Sequence, residues 1–241
     1  MGPIFRLSLR QLAGPRRLAL IFVLAVLPVA LSALVAAIAD DNASYEKNYI
    51  NTLLDGMLVA SILPIVTMAL ATAAFGNEVE DRTLSHLVAR PISRLAIVLP
   101  KLLASIVIAG PLLVLSGVAA TVLGLDVGVQ GAAAVGLALF AGLVVYSTIF
   151  TWAGLVSTRA LAFALVYVFL WEGLISSFLG GVRYLSVRGY TLGIIYGLDD
   201  DGFADLGDRV IEFPVAIAGS VAVTIIFFWL TLRRLRRMDV P

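Results

Sequence analysis

The sequence predicts an all-α polytopic membrane protein of six transmembrane helices. Three observations predict it. Of 241 residues, 61% are apolar and only 14% are charged; the mean hydropathy is +1.02; and the apolar residues fall into runs of bilayer length. A soluble domain is usually nearer half apolar and a quarter charged, so this composition cannot furnish a soluble shell. A helical span needs about 20 apolar residues, which leaves room for roughly six spans with short loops. One transmembrane domain over residues 1–241 is therefore expected. The lack of cysteine excludes a disulfide framework, thiolate metal sites and cysteine nucleophiles. A net charge of +1 predicts no nucleic-acid partner.

The chain opens on a polar-apolar stretch, residues 2–17. Phe5, Leu9 and Leu12 recur at helical spacing, while Arg6, Arg10 and Gln11 lie off that stripe. This predicts an interfacial amphipathic helix ended by Gly14 and Pro15, serving either to hold anionic lipid or to touch a cytoplasmic partner. The first apolar run, Leu18 to Ala39, is too long for a signal peptide and has no clear small-residue cleavage site, so it reads as a retained span. The other runs are Leu53 to Phe75, Leu102 to Leu123, Ala132 to Leu155, Leu161 to Phe178 and Ile211 to Leu232. Pro28, Pro64, Pro111 and Pro214 fall in or beside them, which membrane helices tolerate where neighbours satisfy the freed backbone groups. Gly131, Ala132, Ala133, Ala134, Gly136 and Ala138 allow another helix to approach closely.

Glu172 interrupts the fifth run and is the one carboxylate read as lying well inside an apolar stretch. A charge there costs at least about 2.5 kcal/mol, so such residues face a cavity or a partner. Glu172 is expected either in a translocation path or gate, or in a hydrogen-bonded kink with Trp171, Ser176 or Ser177. Tyr146, Phe150, Trp152, Tyr167 and Trp171 are scattered through the spans and read as packing before they read as a substrate track.

Lysine and arginine in short loops favour the cytoplasm. With six spans, Arg6, Arg10, Arg16, Arg17, Arg82, Arg90, Arg94, Lys101, Arg159, Arg233, Arg234, Arg236 and Arg237 all fall on one side. Lys47, Arg183, Arg188 and Arg209 fall on the other, with most of the acids. Both termini are therefore expected in the cytoplasm of a multi-pass plasma-membrane protein.

Two further segments are neither span nor short turn. Residues 77–101 place Glu78, Glu80 and Asp81 before Leu84, Leu87 and Val88, then Arg90, Pro91 and Arg94. Acids first and bases last suit a helix dipole, so the segment reads as a short amphipathic helix at the cytoplasmic surface, or as a solvated loop. His86, the single histidine, lies in it and reads as a surface residue. Residues 176–212 are too punctuated by glycine to span. Tyr184, Tyr190 and Tyr196 suit a headgroup-level loop, and Asp199, Asp200, Asp201, Asp205 and Asp208 read as solvated because their spacing departs from a calcium loop. No phosphate loop, H-E-x-x-H or G-x-S-x-G occurs. An active site in the membrane needs several converging polar groups, and only Glu172 is read as available, so an enzyme is not expected.

The string Glu78-x-Glu80-Asp81-x-Thr83-Leu84-x-x-Leu87-x-x-x-Pro91-Ile92-Ser93-Arg94, with Lys101 opening the next span, resembles the signature of ABC-2 type transporter permeases. Arg82 stands where many members have glycine. The resemblance implies a non-catalytic membrane subunit that pairs with a second permease copy or homologue and with two copies of a cytoplasmic ATPase subunit. It implies no cofactor on this chain, with ATP and Mg2+ held by the ATPase. It implies a coupling helix over 78–94, with Glu78, Glu80, Thr83, Leu84, Leu87, Arg90 and Arg94 docking the ATPase. It also implies short re-entrant external helices over 176–210, export as the direction, and a compact layout of prokaryotic type. The rival readings are an ATP-independent channel or secondary transporter, and a membrane scaffold recruiting a cytoplasmic partner.

Overall fold

The computed structural model describes residues 2–38, 43–81, 93–175 and 180–237, which are helical or connecting, with no strand among them. The helices are α1 (Gly2–Leu12), α2 (Pro15–Ile38), α3 (Tyr45–Glu80), α4 (Leu95–Gly124) and α5 (Gly128–Val156). Then α6 runs over Ala160–Val166 and continues as π-helix over Tyr167–Ile175; α7 (Val187–Leu198) and α8 (Phe213–Arg236) follow.

Five helices are long and apolar enough to cross a membrane: α2, α3, α4, α5 and α8. The fifth expected run is shorter, an apolar helix over Ala160–Gly173. Ser176, Ser177 and Phe178, the end of that expected run, lie outside the described residues. Two spans are longer than hydropathy alone predicts. Helix α3 begins well before Leu53, and α4 begins before Leu102 and keeps Lys101 inside it, where Glu78 neutralises the cation.

Helices α3 and α5 form the centre, with 72% and 67% of their apolar stretches buried, against 22% for α2 and 17% for α8. The peripheral helices present Phe22, Val23, Leu34 and Ile38, and Val221, Ile225, Ile226 and Trp229, outward. In a bilayer, that is the face lipid covers. A second, smaller core of Phe75, Ile97, Val98, Leu155 and Leu235 takes in Ile4, Val79, Phe228 and Leu232. It ties α1, α3, α4, α5 and α8 at one end of the bundle. The amphipathic stripe of α1 holds: Leu12 is buried, Phe5 and Leu9 pack on the core, and Arg6 and Arg10 are exposed. Arg233, Arg234 and Arg236 at the end of α8 are exposed at the same end. The opposite end carries the exposed acids Asp126, Asp200, Asp201 and Asp205.

Buried hydroxyls stitch α2, α3 and α4. The Ser116 hydroxyl donates to the Ala25 carbonyl at 2.5 Å, and the Tyr49 hydroxyl donates to the Ala120 carbonyl at 2.5 Å. Such bonds hold membrane helices where no hydrophobic driving force separates helix from lipid. Further down, α5 meets α3 at Thr72, where the α-helix is briefly interrupted. Gly154 makes that crossing possible, since a Cβ there would run into the Thr72 carbonyl oxygen.

Gly154→Ala is expected to destabilise the protein by about 1–3 kcal/mol, the usual range for overpacking. Gly76→Ala, where a Cβ meets nothing within 4 Å, is expected to be neutral or to stabilise by up to about 1 kcal/mol. Thermal unfolding of both variants in mild detergent checks the pair.

Candidate functional site: two buried charge clusters on one helix

Helix α3 carries an acid towards each end, and each acid holds a base from elsewhere in the chain. At the arginine-rich end, Lys101 of α4 is 2% exposed. Its Nζ donates to the Ala74 carbonyl at 2.5 Å and to Glu78 Oε1 at 2.6 Å. It also sits 4.8 Å from the centre of the Phe75 ring. A buried ammonium thus gains a carboxylate, a carbonyl and an aromatic face, which offset its loss of water. This fastens the last turns of α3 to the first turns of α4, on either side of residues 82–92.

The expected docking residues divide around that clamp. Thr83, Leu84, Leu87 and Arg90 lie outside the described residues. Glu80 is exposed and Arg94 is half-buried just before α4. Glu78 points inward to Lys101, its side chain 12% exposed. Lys101, expected to open the next span, lies two turns inside α4, which begins at Leu95.

Towards the opposite end, Asp55 of α3 accepts two hydrogen bonds from Arg188 of α7, from Nε at 2.6 Å and from Nη2 at 2.8 Å. This is the paired, fork-to-carboxylate geometry that makes arginine pairs strong. The same arginine directs Nη1 to the Glu172 carbonyl oxygen at 3.4 Å. Glu172 is fully buried. Its carboxylate accepts from the Tyr167 hydroxyl at 2.9 Å, the Ser186 hydroxyl at 2.5 Å, and the backbone N–H of Val187 at 2.9 Å and of Arg188 at 3.3 Å. The carboxylate therefore caps the start of α7, where orphan N–H groups and the helix dipole favour an anion.

These contacts correct two expectations. Glu172 is held by Tyr167, one turn earlier in its own helix, and by Ser186, Val187 and Arg188 around the start of α7, whereas the expected partner Trp171 donates its indole N–H to the Leu185 carbonyl at 3.3 Å; Ser176 and Ser177, the other expected partners, lie outside the described residues. Nor is Glu172 the sole ionisable group within the bundle, because Asp55, Arg188, Glu78 and Lys101 join it. Asp55 was there to be seen, two residues inside the second apolar run. Arg188 had been counted among the outer loop cations. Nothing local links Arg188 to a carboxylate 133 positions away.

Both acids of this second cluster sit in π-helical backbone: Asp55 in Ile50–Ile62 and Glu172 in Tyr167–Ile175. The π-helix bonds residue i to i+5, is rarely adopted, and recurs at functional positions. The Tyr146 hydroxyl of α5 is buried without a hydrogen-bond partner among the described residues. Its ring stacks on Phe150 with centroids 5.5 Å apart, and Phe150 meets Tyr167 edge-on at 6.4 Å. The Trp152 ring meets Phe227 at 5.4 Å. These aromatics pack helix against helix. Tyr190 is buried, 3% exposed, and donates to the Tyr184 carbonyl at 2.6 Å.

Residues 16–185 match the family model described as ABC-2 family transporter protein. A comparison with curated proteins finds no match.

Removing one member of a buried pair strands the other, which typically costs about 3–5 kcal/mol, whereas replacing both by apolar or neutral groups is often near neutral. Lys101→Met is therefore expected to lower the unfolding midpoint clearly, and Lys101→Met combined with Glu78→Gln to recover most of the loss. Thermal unfolding of the three variants beside wild type reads this directly.

Proposed function

The chain belongs to the ABC-2 transporter family, and we propose that it is the permease subunit of an ATP-driven exporter, paired with a second copy or a homologous permease. Membership makes the chain a multi-pass component of membrane transport, in a family whose ATP hydrolysis is done by a separate subunit. The observation that carries the finer reading is the Lys101–Glu78 clamp. It holds together the two helix ends from which residues 82–92 emerge, so a pull on that segment loads α3 and α4 as one body.

On this reading the arginine-rich end is cytoplasmic, by the positive-inside bias. The second and third spans are α3 and α4, and the coupling element lies between them. Two copies of a cytoplasmic ATPase, binding ATP and Mg2+, dock on Glu80, Thr83, Leu84, Leu87, Arg90 and Arg94. Glu78 serves behind this surface, anchoring the element to Lys101. An apolar patch with a charged rim is what a transient interface needs. Closure of the ATPase pair drives the element, the helices tilt, and the cavity between the two permeases changes its access.

We read α6 as the fifth of six crossings, so that α8, the sixth, returns the chain to the cytoplasmic side. From Ala160 to Ile175 α6 rises roughly 24 Å at about 1.5 Å per residue. That is short of the roughly 30 Å hydrocarbon core, and α7 with its flanking turns fills the outer remainder as a re-entrant element. Glu172 belongs to the outer gate of the path. The channel and secondary-transporter readings gain little from the extra buried charges, because Asp55, Arg188, Glu78 and Lys101 are matched in ion pairs that tie helices together. A prokaryotic plasma membrane fits so compact a chain with its ATPase on a separate polypeptide.

Purification from native membranes in mild detergent, followed by mass spectrometry, tests the reading. A phosphate-loop ATPase is expected to co-purify, and Leu84→Asp with Leu87→Asp is expected to lose it at unchanged expression. Recovery of the chain alone, or with a non-nucleotide partner that the double variant retains, would favour a channel or scaffold.

A further inference from the structure

Within this bundle, α7 stands apart in how its N-terminal end is held. Along its length it packs through Val187, Leu192, Ile194 and Ile195, all buried. At its first turn the hold is electrostatic: Arg188 forks onto Asp55 of α3, and Glu172 of α6 caps the backbone. The two acids come from different helices and both lie in π-helical backbone. The same α3 that receives Arg188 carries Glu78, and so the Lys101 clamp, roughly 35 Å further along at about 1.5 Å per residue.

We propose that the Asp55–Arg188 ion pair is the latch of the outer gate, and that α3 is the rod that makes and breaks it in step with the coupling element. Asp55 and Arg188 are thus positioning residues for transport, setting where the start of α7 lies. This rests on the permease reading for the source of the motion, but the latch itself is a property of the chain.

Three physical points carry the assignment. First, a buried ion pair is a poor way to gain stability, because desolvation consumes most of the attraction; its best attested use is to fix a register or a state. Second, the pair is not sealed: the Arg188 side chain is 20% exposed and that of Asp55 12%. A small displacement therefore lets water replace the partner, and both charges become hydrated as they part. The Glu172 cap, fully buried and saturated by four donors, has no such option and acts as the hinge about which α7 turns. Third, the latch is directional. A forked arginine–carboxylate pair tolerates little rotation, so a twist or slide of α3 about its axis breaks the pair before it disturbs the apolar packing of α7. Glu172 lies beside Arg188, with the Tyr146 hydroxyl nearby; no second cation among the described residues is paired with Asp55.

The chain has no cysteine, so labels are easily placed. Thr52, on α3 one turn before Asp55, and Leu185, just before α7, are both exposed. Thr52→Cys and Leu185→Cys would carry spin labels, with the chain in lipid nanodiscs and the distance read by electron paramagnetic resonance. The isolated chain is expected to show one narrow distribution. Asp55→Asn and Arg188→Gln are each expected to add a longer population that becomes the major one, and the exchange Asp55→Arg with Arg188→Asp to restore the narrow one. An unchanged distribution in Asp55→Asn and Arg188→Gln overturns the latch, and should Arg188→Gln fail to fold, Asp55→Asn alone decides. With the ATPase that co-purifies and a non-hydrolysable ATP analogue, wild type is expected to move to the longer population. A wild-type distance that ignores the nucleotide overturns the gate role. Failure to find any ATPase refutes the permease reading instead, and leaves the nucleotide-free distances to judge the latch.

Discussion

A charge that enters a bilayer-spanning bundle has to find its counterpart inside the protein, because the surrounding lipid offers none. That constraint organises this molecule around α3. Its two acids, Asp55 and Glu78, each recruit a base from a distant segment, and in doing so fix where α7 and α4 lie. The apolar packing would permit many arrangements of helices whose faces are uniformly hydrophobic. The ion pairs permit few, since misplacing either leaves a buried charge unpaired. Close approaches such as Gly154 on Thr72 then complete a geometry that the charges have already narrowed.

The two ends of α3 differ in a way that suits a transmission element. At Lys101 the clamp is tight, with three kinds of partner around a cation that solvent hardly reaches. At Arg188 the pair is partly exposed and the backbone beside it is π-helical. On the proposed function, a firm grip near the coupling element and a releasable grip near the outer gate would make one helix an input at one end and an output at the other. The Glu172 cap ties the start of α7 to α6.

Much of the fold could be read from hydropathy, because the physics is local: an apolar run longer than the hydrocarbon core is wide has one stable fate in a membrane protein. The stripe of α1 was equally plain, since Phe5, Leu9 and Leu12 repeat with helical period. The fifth run was harder. Glu172 marked it as unusual, but the four donors that make the carboxylate tolerable come from Tyr167 and from residues beyond a glycine-rich turn. The two ion pairs were harder still. Lys101 was read through a rule about loops and Arg188 through a count of outer charges, and each rule concerns where a cation sits along the membrane normal. Neither rule concerns which helix faces it. The pairing of Arg188 with Asp55 is a tertiary fact, and the trace it left in the sequence was a carboxylate inside the second apolar run.

The central claim is that the two ends of α3 act as one mechanical unit, and a double-mutant cycle on the assembled transporter tests it most directly. The near pair is neutralised by Glu78→Gln with Lys101→Met, the far pair by Asp55→Asn with Arg188→Gln, and ATP hydrolysis by the complex is measured for each and for both together. Sites this far apart ordinarily act independently to within about 0.3–0.5 kcal/mol. The account predicts a coupling of at least about 1 kcal/mol, because loosening the far end matters only while the near end still grips the rod. Additive effects would contradict it and reduce both pairs to separate structural ties.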